Sequence, residues 1–217
     1  MKKNVQGLLL TFILFGGIFI SSCGSKSKDP KPKEDPNSVT INGTVYPTVA
    51  IGSQIWTTIN YKGPGGYSTP ERIAYGSYFR RSEALKIQLP SGWRLPSIGD
   101  FNKLYSSFTH EKDSRGNYIS ISGKSATLCA VTGWKSNSGT NISGFNALPG
   151  GSCYNPFKEF ESDLADQNAF FVTSDAIPES ATDVAQYGAQ ISTTVAVITH
   201  RNDTEVYSLS VRFVKDE

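Results

Sequence analysis

The sequence predicts an α+β fold that combines two short helices with several antiparallel strands and long irregular stretches. Asn42-Gly43 stands between two β-forming runs, which is typical of a hairpin with a type I′ turn. After Ser97, apolar residues recur at helical spacing. Residues 135–168 are rich in Ser, Asn, Gly and Asp, which indicates a long loop region. Long loops in a compact domain usually carry function or need a contact that holds them in place.

Strands are predicted where β-branched and aromatic residues alternate or cluster. Gly52-Ser53 and Asn202-Asp203 mark turns between such runs. The predicted strands lie within residues 39–46, 49–56, 169–174, 192–199 and 205–214.

Two helices are predicted between the strands. Residues 81–86 form a short one. The other begins after Ser97, which stands three residues before Asp100, the spacing of a capping box with Asp in the usual place of Glu. The apolar face of this helix consists of Phe101, Leu104, Tyr105 and Phe108, which we expect in the core.

The N-terminus has the features of a signal peptide followed by a lipid attachment site. Lys2 and Lys3 precede an apolar run over residues 8–20, which is too short for a ~30 Å hydrocarbon core that needs ~20 residues. A signal peptide over residues 1–22 is the better interpretation. Ile20-Ser21-Ser22-Cys23 resembles the bacterial lipobox, in which the cysteine thiol takes a diacylglycerol and the chain is cut before it. The alternative is an ordinary signal peptide followed by a chance cysteine.

Residues 23–38 are predicted to be a lipidated cysteine and a disordered tether. After Cys23 this segment has three prolines, seven charges and no aromatic or aliphatic side chain, so it cannot form a core. Its lysines either attract anionic lipid head groups or only add solubility. The remainder, residues 39–217, is predicted to be one domain.

Charge and composition exclude two classes of protein. A hydrophobic share of 38% and an aromatic share of 12% are enough for a core, which excludes whole-chain disorder. The full chain has 21 basic and 19 acidic residues, and removal of Lys2 and Lys3 leaves 21 − 2 = 19 basic residues. This neutral balance gives no electrostatic basis for binding nucleic acid.

The cysteines fit an oxidising compartment. After Cys23 only Cys129 and Cys153 remain, and an even pair in an exported protein favours a disulfide. The bridge would close a loop of about 25 residues and contribute roughly 3–3.5 kcal/mol. Two buried thiols are the alternative. No metal site is predicted, because His110 and His200 are the only histidines and neither stands at ligand spacing from a cysteine.

Six segments occur in an order that is typical of one family. They are residues 46–56 (YPTVAIGSQIW) with Asn60 after them, 75–78 with 82–84, 90–97 (PSGWRLPS), 144–151 (GFNALPGG), 170–174 (FFVTS) and 210–216 (SVRFVKD). Together they resemble the Fibrobacter succinogenes major paralogous domain of surface lipoproteins in Bacteroidetes and Fibrobacter. The resemblance implies a C-type-lectin-like fold, which formylglycine-generating enzymes share distantly.

Two positions depart from the family's pattern. The family often has one cysteine just before Pro-Ser-Gly-Trp and another in its closing segment, where this chain has Leu89 and Phe213. The resemblance then implies that packing replaces the usual bridge, and that a bridge between Cys129 and Cys153 would be a separate clamp on the long loop.

Three features of these segments have a physical interpretation of their own. Trp93 has prolines on both sides that fix the backbone, and its large side chain can fill space in the core. Gly150-Gly151 allows positive φ or a close backbone approach. Arg212 alternates with apolar neighbours, and it either pairs with a buried carboxylate or faces solvent.

Several known catalytic motifs are missing from the sequence. There is no Gly-x-Ser-x-Gly elbow and no His-Glu-x-x-His, and a Ser/His/Asp triad would need His110 or His200, both in polar, turn-like contexts. The calcium-sugar motifs Glu-Pro-Asn and Trp-Asn-Asp are absent from the domain as well. We therefore expect no enzyme activity, no cofactor and no resident metal.

Binding is the remaining chemistry. Aromatic faces and amides suit sugars, and the long loop offers both; the candidate ligand residues are Trp134, Asn137, Asn141, Tyr154 and Asn155. The alternative is that Trp134 belongs to the core and the others to a solvated loop. A second loop, residues 61–67 (YKGPGGY), is Gly-rich with two tyrosines and is a candidate interface.

These observations predict a lipid-anchored protein of the outer membrane or cell surface. Its domain would recognise a glycan or a surface protein without catalysis. One alternative is a structural accessory subunit of a fimbrial or uptake assembly. Another is an enzyme or modification factor on the related formylglycine-generating scaffold, which the missing catalytic residues disfavour.

Overall fold

The structure of this protein is a computed structural model that describes residues 37–68, 70–120, 123–154, 159–160, 165–176, 186–201 and 207–217. The chain divides into Met1–Lys33, which lies outside these residues, and Glu34–Glu217. The predicted signal peptide, Cys23, nearly all of the tether and Asn155 therefore lie outside the described part of the chain.

A four-stranded antiparallel sheet joins the two ends of the domain. Its strands are β1 (Ser38–Ile41), β2 (Thr44–Ile51), β3 (Gln54–Thr57) and β11 (Val214–Asp216), in that spatial order. Between β1 and β2, Asn42 has φ 48° and Gly43 has φ 76°. A type I′ turn needs positive φ at both central residues, so the predicted hairpin is confirmed.

The second sheet is mixed. Its strands are β4 (Tyr78–Phe79), β5 (Cys153–Tyr154), β6 (Glu159–Phe160), β7 (Ala169–Ala176), β8 (Gln186–Ile191), β9 (Ala196–Arg201) and β10 (Tyr207–Ser210). The order is β6-β5-β10-β7-β8-β9, with β4 also paired to β10. β10 and β7 run parallel, and the other pairs are antiparallel. With few helices beside two sheets, the α+β class is confirmed.

Two predicted strands are wrong in their extent. Residues 192–199 include a turn, because the Ser192 hydroxyl accepts the backbone N–H groups of Thr194 (3.3 Å) and Val195 (3.1 Å). Such local side-chain bonds compete with strand pairing, so β8 ends at Ile191 and β9 begins at Ala196. Residues 205–214 also divide, since β10 belongs to the mixed sheet and β11 to the four-stranded one.

The two predicted α-helices are present as α1 (Arg81–Ala84) and α2 (Ile98–Ser106), with 3-10 helices at Pro70–Tyr75 and Lys124–Thr127. The capping box of α2 is confirmed. The Asp100 N–H donates to the Ser97 hydroxyl at 3.1 Å, and the Ser97 N–H donates to the Asp100 carboxylate at 2.8 Å. Phe101, Leu104 and Tyr105 are buried, and Phe108 packs partly buried against the same cluster.

The core has two hydrophobic clusters on opposite faces of the mixed sheet. In the first cluster, Trp56 packs between Phe101 and Phe145 at ring distances of 5.2 and 5.5 Å. In the second cluster, Tyr61 packs between Phe79 and Phe213 at 5.4 and 5.3 Å. Side chains along β7 alternate between the clusters, with Phe171 in the first and with Phe170 and Val172 in the second.

Of the two positions that depart from the family's pattern, Phe213 belongs to the second cluster, and Leu89 is partly buried against it. That packing replaces a bridge between these two positions stays a prediction. Trp93 is partly buried against the same cluster.

Candidate functional site

Several of the motif segments meet around Arg212, which is fully buried. Its Nε donates to Asn60 Oδ1 at 2.6 Å. Its Nη1 donates to the carbonyls of Thr57 (2.6 Å) and Phe145 (2.9 Å), and its Nη2 donates to the Asn146 carbonyl (2.8 Å). The guanidinium therefore ties three distant stretches of chain together.

Among the described residues, Arg212 neither pairs with a buried carboxylate nor faces solvent, which were the two alternatives that the sequence left open. Its hydrogen bonds go to the neutral oxygens of Asn60, Thr57, Phe145 and Asn146. Its guanidinium carbon lies 5.1 Å from the Phe145 ring centroid and 5.6 Å from the Phe171 ring centroid. Burial lowers the pKa of Arg212 to about 9, so it still carries its charge at neutral pH. This arrangement gives the residue a role in structure.

Gly150-Gly151 supports the same region, and both expectations for it are confirmed. The Tyr78 hydroxyl donates to the Gly150 carbonyl at 2.8 Å, and a Cβ at Gly150 would lie 2.9 Å from that hydroxyl. Gly151 has φ 67°. A side chain would crowd the first position and strain the second.

The structure disperses the candidate ligand residues of the long loop. The Trp134 indole N–H donates to the Ala130 carbonyl at 2.9 Å, and its half-buried ring packs against the first cluster. Asn141 has φ 49°, and its side chain accepts the Asn146 N–H at 2.8 Å. These contacts give Trp134 and Asn141 structural roles.

Tyr154, a third candidate, is half-buried, and its ring stands edge-on to Tyr207 at 5.4 Å. Asn137, a fourth candidate, is exposed and lines a cleft. Contact of any of these residues with a ligand stays a prediction.

That cleft, here called the polar cleft, has a volume of about 230 Å³. It lies between the loop at Ser136, the segment that precedes β7 and the turn between β8 and β9. Its described lining consists of Ser136, Asn137, Gln167, Asn168 and residues 192–195. Hydroxyl and carboxamide groups dominate this surface, and each of them can both donate and accept hydrogen bonds.

Neighbouring groups fix two side chains of the polar cleft. Asn168 Oδ1 accepts a hydrogen bond from Gln190 Nε2 at 2.8 Å, which sets the orientation of the Asn168 amide. Ser192 is held by the backbone N–H groups of the turn that it caps. These two side chains therefore need no reorientation before a ligand binds.

Asp166, which precedes the cleft residue Gln167, links its segment to three others. Its carboxylate accepts Arg72 Nη1 at 3.0 Å and the Tyr75 hydroxyl at 3.2 Å. Its backbone carbonyl accepts the Lys135 N–H at 2.7 Å, and its own N–H donates to the Pro149 carbonyl at 3.0 Å. Asp166 holds φ 60°, which Asp tolerates better than most residues. No sequence signal marked it, because its partners are distant in the chain.

A second cleft of about 340 Å³ includes part of the predicted Gly-rich loop. Its described lining consists of Gly65, Gly66, Tyr67, Arg80, Glu83, Cys153 and Ser208. Arg80 and Glu83, three residues apart at the start of α1, form an ion pair at 2.5 Å in its wall. Tyr61, the first residue of that loop, instead lies in the second cluster.

The two cysteines of the domain are buried as thiols in different surroundings. Cys129 lies in the first cluster, where its thiol contacts the Ser125 carbonyl at 3.4 Å and burial raises its pKa to about 12. Cys153 lies on β5 at the wall of the second cleft. Both cysteines are therefore free thiols in the structure, and a disulfide between them stays a prediction.

Within the described ranges, no group of three or more His, Cys, Asp and Glu residues is placed to hold a metal ion. His110 is exposed. None of the helices in the described part of the chain is both long and apolar enough to cross a membrane. No family model, curated protein or solved structure matches this chain.

Proposed function

We propose that this protein is a lipid-anchored recognition module of the outer membrane or cell surface, and that its domain binds glycans without catalysing a reaction. The observation that carries the proposal is the polar cleft, whose described lining offers hydroxyl and carboxamide groups. Sugars present hydroxyls in fixed directions, and such neutral groups pair with them as both donors and acceptors. A lipid on Cys23 and the tether of residues 23–38 would hold the domain off the membrane.

Membership of the Fibrobacter succinogenes major paralogous domain family, with its C-type-lectin-like fold, belongs to the same proposal. Support comes from the way in which the quoted segments depend on one another. Asn60, which follows segment 46–56, accepts a hydrogen bond from Arg212 of segment 210–216. The Gly150 carbonyl of segment 144–151 accepts one from Tyr78 of segment 75–78. Segments that pack together in this way are expected to occur together in a sequence.

A structural accessory subunit is the alternative function, and it would need an apolar contact face. The large hydrophobic side chains that are exposed in the described residues lie on separate segments: Val45, Ile73, Leu85, Val131 and Ile142. Exposed hydrophobic residues in this number are normal on monomers, so they give this alternative little support.

A glycan-array screen of residues 39–217, with and without calcium, tests the proposed function. We expect binding to a subset of glycans by protein whose fold is verified by circular dichroism. Trp134→Ala, made in parallel, tests whether the aromatic of the long loop takes part. A blank array from folded protein would contradict glycan recognition, and a pull-down from the cell envelope would then test for a protein partner.

A further inference from the structure

We infer that the polar cleft binds a single uncharged sugar unit and does so without calcium. This inference rests on the proposed function and deepens it, because it assigns the site, the chemical class of the ligand and the independence from metal. The argument depends on the charge, the ligand groups and the size of the cleft.

The charge of the cleft favours a neutral ligand. No Lys, Arg, Asp or Glu occurs among its described lining residues. An acidic sugar that entered would give up part of the hydration of its carboxylate or sulfate and meet no opposite charge in return. Neutral hydroxyls lose less, since the carboxamides of Asn137 and Asn168 replace their bonds to water.

The same lining argues against a calcium ion. Ca²⁺ takes 6–8 oxygen ligands and prefers carboxylates among them. The polar side chains of the cleft's described wall are hydroxyls and carboxamides, with no carboxylate among them. The carboxylate next to it in sequence is Asp166, and that group is already bonded to Arg72 and Tyr75.

The size of the cleft sets the length of the ligand and its affinity. A volume of about 230 Å³ falls below the roughly 300–1,000 Å³ of pockets that enclose drug-sized molecules. One sugar ring or one chain end is therefore the unit that fits. No aromatic side chain is among the described lining residues, so stacking adds nothing there, and we expect a Kd on the order of 1 mM.

The test uses the full chain, purified in a detergent whose head group is not a sugar. Neutral monosaccharides (galactose, mannose and N-acetylglucosamine) and acidic ones (glucuronic acid and N-acetylneuraminic acid) are titrated by ligand-observed nuclear magnetic resonance. We expect at least one neutral sugar to bind more tightly than the acidic ones. Neither EDTA nor a severalfold increase in sodium chloride should change that affinity, because no ion pair or metal is involved.

Three variants locate the site. Asn168→Asp keeps the oxygen that accepts from Gln190 but replaces the amide nitrogen with a charged oxygen, and Thr193→Val removes a hydroxyl without a change of shape. Each should weaken binding about fivefold or more. Asn137→Gly should also weaken it, because it removes the carboxamide. Asn137 is exposed and has φ 55°, which glycine adopts without strain, so this change leaves the core and the backbone untouched.

Two matched controls make the same chemical changes elsewhere. Gln88→Glu turns an exposed carboxamide after α1 into a carboxylate, and Thr40→Val removes an exposed hydroxyl on β1 of the other sheet. Both should bind as the unchanged protein does. Circular dichroism confirms the fold of all five variants.

The outcomes separate this inference from the proposed function. Binding of neutral sugars that none of the three cleft variants weakens would overturn the site and leave glycan recognition standing. Binding that EDTA abolishes, or that prefers acidic sugars, would overturn the ligand class. Folded protein that binds no sugar in this titration or on the array would overturn both proposals.

Discussion

At the scale of single residues, Arg212 shows how a buried charge can serve structure alone. A guanidinium presents five N–H donors in a rigid fork, and here that fork reaches carbonyls and an amide that come from different segments. The oxygens would otherwise be buried without a partner, at a cost of about 1–3 kcal/mol each. Burial of the cation is therefore offset by the satisfaction of several acceptors at once.

Arg212→Met tests this role. It fills part of the space but donates no hydrogen bond, so we expect the free energy of unfolding in urea to fall by at least about 3 kcal/mol. The matched control is Arg115→Met on an exposed turn, which should change stability by no more than ~0.5 kcal/mol. Equal urea midpoints for Arg212→Met and the unchanged protein would contradict the interpretation.

At the scale of elements, Asp100 connects α2 to the four-stranded sheet. Its carboxylate caps the helix through Ser97, accepts Arg94 Nη2 at 2.6 Å and accepts Gln54 Nε2 from β3 at 2.8 Å. Arg94 also reaches Asp216 on β11 at 3.2 Å. One carboxylate thus joins a helix, a loop and a strand, which explains why the capping box has Asp at its third position.

This connection predicts an acid sensitivity. Burial by itself raises the pKa of Asp100, but hydrogen bonds from Arg94 and Ser97 outweigh it and hold that pKa below its ordinary value. The folded state therefore binds fewer protons than the unfolded state as pH falls below ~4, and stability drops down to the folded pKa. The contribution is present in full above the unfolded pKa.

Asp100→Asn should remove that part of the pH dependence. At pH 7 we expect it to lower the free energy of unfolding by about 1–2 kcal/mol, because a charged cap becomes neutral. Urea unfolding at several pH values below ~5 measures both effects. Glu111→Gln on an exposed loop serves as control and should leave the profile unchanged. A variant profile parallel to that of the unchanged protein would exclude Asp100 as the source.

At the scale of the whole molecule, the proposed weak binding and the proposed lipid anchor would complement each other. A cleft with a Kd on the order of 1 mM cannot hold a glycan surface alone. If many anchored copies on one membrane face the same glycan surface, every binding event after the first is effectively intramolecular. The resulting avidity can exceed the affinity of a single site by about 10²–10⁴-fold. A lipid at Cys23 would therefore contribute to recognition as well as to location.

Cys23→Ser tests the anchor. In cells, the unchanged chain should fractionate with membranes, incorporate a labelled fatty acid and lose residues 1–22, because the thiol receives the lipid and cleavage follows. The variant should incorporate no label. Ser25→Ala, two residues on, is the control and should behave as the unchanged chain. Label retained by Cys23→Ser would show that the lipid is attached elsewhere.

The sequence by itself determined the features that depend on neighbours within a few positions. Asn42-Gly43 specified its turn because few other residue pairs adopt positive φ in succession, and Ser97 with Asp100 specified the start of α2 because a capping box closes over three residues. The α+β class followed from such local signals.

Only the tertiary structure decided what distant segments build together. The alternation around Arg212 could not reveal its acceptors, because they lie more than 60 residues away in sequence. The β-branched residues after Ser192 form a turn instead of a strand, because the Ser192 hydroxyl accepts hydrogen bonds from the backbone N–H groups of Thr194 and Val195. The polar cleft combines Asn137, Asn168 and that turn, whose spacing in the chain carries no pattern. Its existence therefore depends on how the long loop packs against the end of the mixed sheet.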